Sequence, residues 1–166
     1  MIQIRCILVP TDFTPCSQRA VSYAAELARR FDAEVVLVHA IEAPLNLPPH
    51  TLVHIDAQGL SMPIMDYVRE AADRRMGAAL EELTLAKVRA RSVVEVGDVR
   101  DVALAQAERL PADLIVMGTN GRTGLRHLLI GSVAEDVVRR APVPVLTIRV
   151  PEDDKDSVVS APVPAT

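Results

Sequence analysis

The chain predicts an open, doubly wound α/β sheet, and three observations predict it. Short, largely apolar runs at residues 4–9, 35–38, 93–96 and 113–117 read as strands covered on both faces, as in a parallel sheet. Between them lie segments whose apolar residues recur at threes and fours, the spacing of a helix packed along one side. The glycine-rich stretch Gly118-Thr119-Asn120-Gly121-Arg122-Thr123-Gly124 follows the fourth run and precedes a helix beginning near Gly131-Ser132. Strands alternating with helices give right-handed crossovers and a parallel sheet with helices on both faces.

The elements follow in order. The first strand ends at Pro10-Thr11-Asp12. Thr14 is placed to cap the first helix, with Pro15 in a first turn where a missing amide hydrogen costs little. Val21, Ala24, Leu27, Ala28 and Phe31 form that helix's apolar stripe, and the second strand follows at 35–38. Pro44, Pro48, Pro49 and Gly59 discourage regular structure over residues 41–62, a stretch suited to a lid, a partner surface or a flexible insert. A long amphipathic helix is expected over 63–91, with Met65, Val68, Ala72, Met76, Ala79, Leu83 and Ala86 on its buried side. After the third strand, Gly97-Asp98 turns into a shorter helix ending near Leu110-Pro111. A last helix spans about 132–140, and Ser132 and Glu135 have the spacing of a capping box. The fifth strand, 145–149, alternates apolar with polar, so an edge or one distinct face is expected of it. Residues 1–150 make one domain; 151–166, acidic and then rich in Ser, Pro and Ala, read as a disordered tail.

Composition excludes several functions. The chain has 166 residues, 49% of them hydrophobic, enough for one substantial core. A net charge of -4 argues against nucleic acid, whose binding needs a basic face, and two Phe, two Tyr and no Trp make a poor stacking platform. No apolar run approaches the roughly 20 residues needed to span a bilayer, so no membrane association is expected. Two cysteines are too few for a disulfide framework, and a cytoplasmic protein is expected.

In doubly wound sheets, ligands bind beyond the carboxyl ends of strands where the winding reverses. Pro10-Thr11-Asp12 and residues 118–132 would form the walls of that crevice. Glycines let backbone approach a ligand closely, and the first amides of a helix are unpaired donors with partial positive charge, a combination suited to phosphate. Neither G-x-x-x-x-G-K-S/T nor a G-x-G-x-x-G after the first strand is present, which sets aside P-loop and dinucleotide-binding enzymes. Each residue also has a plainer reading. The glycines could serve a tight loop, Ser132 could act only as a cap, and Asp12 could bond nearby turn amides rather than a ligand. Arg122, Arg126 and His127 could neutralise phosphate or be solvated loop charges. His50 and His54, with Asp56 close by, could hold a metal only if helical, which the nearby prolines oppose; no metal site is assigned. Cys16, near a helix start, is read as a packed thiol before an oxidant sensor.

The pattern G-x2-G-x9-G-S, met by Gly118, Gly121, Gly131 and Ser132, occurs with Val9-Pro10-Thr11-Asp12-Phe13 and Ala141-Pro142-Val143-Pro144-Val145-Leu146. Together these resemble the nucleotide-binding branch of the universal stress protein family, over residues 4–149. The resemblance implies a Rossmann-like sheet of five parallel strands in the order 3-2-1-4-5 with four helices. It implies binding of ATP, with Mg2+, and a homodimer through strand five, residues 145–149. It places Asp12 and Ala40 beside the adenine, Pro10, Thr11, Met117 and Gly118 beside the adenosine, and Gly121, Gly131, Ser132 and Val133 on the phosphates. Ala40 is smaller than the apolar residue often found there. The expected function is an ATP-binding, homodimeric stress-response or regulatory module of the cytoplasm, with at most slow hydrolysis and no assigned catalytic residue. Occupancy would act as a switch on the glycine loop or on 41–62. The alternatives are a nucleotide-independent chaperone-like or scaffold protein with unidentified protein partners, an enzyme adenylating an acceptor, and a cleft preferring AMP or a cyclic nucleotide.

Overall fold

A computed structural model describes residues 3–42, 48–55, 59–119 and 131–149. The strands β1 (Cys6–Pro10), β2 (Glu34–Ile41), β5 (Arg89–Val96), β6 (Leu114–Gly118) and β7 (Val145–Ile148) form one sheet in the order β5-β2-β1-β6-β7. All its pairings are parallel. Counting only these strands, the order is the predicted 3-2-1-4-5. The short strands β3 (Leu52–His54) and β4 (Ser61–Pro63) shift the numbering; they pair antiparallel within the segment expected to lack regular structure.

The sheet buries both faces because its inner strands are apolar at successive positions, which point alternately up and down. Ile7, Val9, Val35, Leu37 and Val116 pack with Ala20, Ala24 and Ala28 of α1 (Pro15–Phe31) and with Met76 and Leu83 of α2 (Ile64–Leu85). Cys6, Leu8, Val36, Val38, Ile115 and Met117 face the other way, onto α3 (Val99–Arg109) and α4 (Ser132–Arg140). Helices therefore change face after β5, and the winding reverses between β1 and β6.

Several boundaries differ from expectation. The buried line of α1 runs through Ala20, Ala24 and Ala28, small residues that admit the helix close to the sheet, while Phe31 is 48% exposed. Helix α2 ends at Leu85, before the expected 91, because Lys87 takes a left-handed φ of 58° and turns the chain into β5. Thr14 caps α1 as predicted, accepting from the Ser17 amide, and Asp98 caps α3 through the Arg100 amide. The capping box of Ser132 and Glu135 does not form. Gly131 is the N-cap of α4, Ser132 is already inside the first turn, and no side chain among the described residues caps the helix.

Candidate functional site

The turn after β1 is built by its own side chains. The Thr11 amide donates to the Val38 carbonyl at 2.8 Å, tying the turn to β2. Asp12 Oδ1 accepts from the Thr14 amide at 3.1 Å and from its hydroxyl at 2.6 Å, the local bonding that suits Asp to turns. Oδ2 makes no hydrogen bond among the described residues. Thr11 Oγ1 donates to Ser17 Oγ at 3.2 Å and accepts from the Phe13 amide at 3.2 Å, so this hydroxyl belongs to the turn.

His39, on β2, holds the turn from below. Its Nδ1 lies 2.7 Å from the Thr11 carbonyl oxygen, which can only accept, so Nδ1 carries the proton. Phe13, held at a φ of 64°, rests its ring 4.6 Å from that of His39. The Arg75 guanidinium of α2 covers Phe13 at 4.9 Å. A bulky residue in left-handed backbone is strained, and these two contacts hold it there.

Across the sheet, β6 delivers Met117, Gly118 and Thr119 to the same rim. Gly118 is set by packing: a Cβ there would stand 2.8 Å from Cys16 Sγ and 3.1 Å from the Cys16 carbonyl. Cys16 in turn approaches the Ile148 carbonyl at 3.4 Å, so the start of α1 is wedged against β6 and β7. The buried thiol of Cys16 is therefore a packing group. Thr119 then joins β7 to α4: its amide donates to the Ile148 carbonyl at 2.9 Å and its carbonyl accepts from the Gly131 amide at 2.6 Å.

These walls enclose a cleft of about 450 Å³ at the carboxyl ends of β1, β2 and β6. Pro10, Thr11, Asp12, Ala40, Met117, Gly118, Gly131, Ser132 and Val133 all line it. Of the predicted site residues, Gly121 lies outside the described residues, as do Gly124, Arg122, Arg126 and His127. Sequence reasoning missed His39, Val68, Val99, Arg100 and Thr119, which also line it. A histidine inside the apolar run of β2 was a signal that could have been followed; Val68 and Val99 are ordinary helix positions with none.

The amides of Ser132, Val133 and Ala134 open α4 at this cleft, and no side chain among the described residues caps them. Arg100 stands beside them, its Nη1 3.1 Å from Asp98 Oδ2 and its Nε 3.9 Å from Asp136 Oδ2. Asp136 also binds Arg140, which bridges to Asp101 at 3.3 Å and ties α4 to α3. Hydrogen bonds to Asp136 and Asp101 hold the Arg140 guanidinium above its usual pKa. The histidines of the 41–62 segment do not share a helix: His54 lies on β3 with its Nδ1 2.9 Å from Ser61 Oγ, and Asp56 lies outside the described residues.

A family model described as the universal stress protein family matches residues 3–149. The chain belongs to that family. Universal stress protein MJ0531 of Methanocaldococcus jannaschii is 32% identical over 158 residues, covering 89% of this chain and 84% of the relative. Universal stress protein A homolog 2 of Coxiella burnetii is 32% identical over 145 residues, covering 87% and 94%. Among solved structures, hypothetical protein MJ0577 superposes with a TM-score of 0.74 at 23% identity, covering 91% of this chain and 99% of that one. The universal stress protein from Archaeoglobus fulgidus in complex with dAMP gives a TM-score of 0.60 at 22% identity, covering 89% and 99%. One in complex with cAMP gives 0.65 at 22%, covering 89% and 98%. At these identities the structures establish a shared fold. No helix among the described residues is long and apolar enough to cross a membrane.

Proposed function

We propose that this universal stress protein binds ATP in the cleft between β1 and β6 and acts in the cytoplasm as a homodimeric stress-response module. The observation that carries the reading is the convergence of Pro10-Thr11-Asp12, Ala40, Met117-Gly118 and Gly131-Ser132-Val133 on one cleft. Its volume, about 450 Å³, falls within the range of small-molecule sites. Relatives of the same fold were solved with dAMP and with cAMP, so an adenine nucleotide is the class of ligand favoured.

In this reading the uncapped amides at the start of α4 donate to phosphate oxygens, and the partial positive charge of the helix end favours the anion. Asp12 keeps Oδ1 in its turn and offers Oδ2 to the base or ribose. The small side chain of Ala40 leaves room beside the base. Gly121, from the same motif, completes the phosphate contacts. The donor set fits Mg2+ only in part: Asp12 and Glu42 are the carboxylates that line the cleft, with the phosphates themselves supplying the other oxygens. No three described His, Cys, Asp or Glu side chains cluster as metal ligands. A bound magnesium ion would supply charge neutralisation. Hydrolysis needs an oriented water as well, and with the Thr11 hydroxyl engaged in the turn any turnover is slow.

Calorimetric titration of nucleotide-stripped protein with magnesium ATP tests the reading. We expect micromolar binding in the parent and its loss in Gly131→Glu, whose side chain and charge intrude on the α4 amides. No heat from a folded parent would reject nucleotide binding and leave the nucleotide-independent scaffold.

A further inference from the structure

The hydroxyl of Thr119 has no role in the site as described so far. The residue is 5% exposed, and its Oγ1 has no hydrogen-bond partner among the described residues. Buried hydroxyls are nearly always bonded, so one that is not calls for a partner from outside the described residues, and a water or a ligand in the cleft is such a partner. The backbone that carries this hydroxyl is fixed. Its amide is held by Ile148 and its carbonyl by Gly131, at 2.9 Å and 2.6 Å, which pins it between β7 and α4. The other buried hydroxyls of the cleft, those of Thr11 and Ser17, bond each other at 3.2 Å.

The surroundings say what kind of group would satisfy it. Thr119 lines the same cleft as Ser132, Val133 and Ala134, whose uncapped amides can only donate. Its hydroxyl can donate as well. A single group that accepts from several donors at once, at a helix end with partial positive charge, is an anion rich in oxygen. We propose that the Thr119 hydroxyl is a ligand-binding group of this cleft, donating to a phosphate oxygen of a nucleotide seated on the α4 amides. This rests on the nucleotide-binding reading of the same cleft. It makes the phosphate part of what is recognised, so the cleft selects nucleotides over nucleosides.

Thr119→Val removes the hydroxyl at nearly constant shape, and Thr119→Ser keeps it. Both variants and the parent, stripped of nucleotide, would be melted without ligand and titrated with ATP, AMP and adenosine. We expect Thr119→Val to melt at or above the parent's temperature, because it buries no unbonded hydroxyl. It should bind ATP, or ATP and AMP together, about ten-fold more weakly, with adenosine unchanged and Thr119→Ser near the parent. Parent-like ATP binding by Thr119→Val would overturn the proposal, leaving water as the hydroxyl's partner. Equal weakening toward adenosine would overturn it too, as would a melting temperature below the parent's, which would show a partner within the protein. A parent that binds no nucleotide removes this proposal and the reading beneath it; a binding parent with an indifferent Thr119→Val removes this proposal alone.

Discussion

At the scale of single residues, Asp12 and Gly118 show how one position can serve fold and ligand together. Asp12 Oδ1 is committed to the Thr14 amide and hydroxyl, while Oδ2 has no partner among the described residues. Asparagine keeps an accepting Oδ1 and replaces only the other oxygen. Asp12→Asn should therefore unfold within about 0.5 kcal/mol of the parent in urea yet bind ATP more weakly, whereas Asp12→Ala should lose both stability and affinity. Unchanged affinity in Asp12→Asn would take Oδ2 out of the site. For Gly118 the sequence suggested room for a ligand, and the structure adds the Cys16 backbone 3.1 Å from where a Cβ would sit. Backbone cannot yield as a side-chain tip can, so Gly118→Ala should cost about 1–3 kcal/mol, read as a lower urea midpoint at unchanged slope. Gly131 is for that reason the better glycine on which to test the ligand. Burial holds the Cys6 thiol above its ordinary pKa, with the Glu34 carboxylate adding to the effect. Thr119 stood inside the motif yet carried no signal, because a hydroxyl is remarkable only once it is known to be buried and unbonded.

At the scale of elements, legibility followed how local the determining interactions are. Thr14 and Asp98 cap their helices through amides two or three residues away, so the cap at Thr14 and the turn at Gly97-Asp98 could be read directly. The Ser132 cap failed because a distant contact decides the start of α4: the Gly131 amide is drawn to the Thr119 carbonyl, and Gly131 takes the extended cap conformation. Thr14→Ala should then cost about 1 kcal/mol of unfolding free energy while Ser132→Ala stays within about 0.5. An equal loss in the two variants would restore the capping box. The early start of β5 was hidden by charge. As an edge strand it carries Arg89 and Arg91, which pair with Asp32 and Glu34 at 3.2 Å each, and polar residues at such positions look like the end of a helix. The β3–β4 pairing was hidden by the prolines around it. Its backbone is anchored by the Ile64 amide on the Thr51 carbonyl at 2.8 Å and the Ile55 amide on the Leu60 carbonyl at 2.9 Å, contacts no short window reveals.

At the scale of the whole molecule, the order of the sheet decides which surface is left to a second copy. Among the described residues, strand β7 pairs with β6 along one side and is the last strand on its end of the sheet, so its other side carries backbone donors and acceptors with no described strand beside them. Its alternation was legible in the sequence, and the register gives it meaning. Leu146 stands opposite Val116, on the α1 side of the sheet, and is 37% exposed, while Ile148, two residues on, is buried in the core. An apolar side chain at an open sheet edge is a liability in a monomer and an asset where a twofold-related copy covers it. Homodimerisation through 145–149 is the proposal this supports, and the far edge competes poorly because the arginines of β5 are engaged with carboxylates there. Leu146→Lys adds a charge to the proposed contact at a position that does not line the cleft. The parent should run in light scattering at twice the chain mass, and the variant at the mass of one chain with its ATP affinity retained. A variant that runs as the same oligomer as the parent would place the interface elsewhere. A variant that becomes monomeric and loses ATP affinity together would mean that the site depends on the second copy, through the Ile148 carbonyl that holds Thr119 at the cleft.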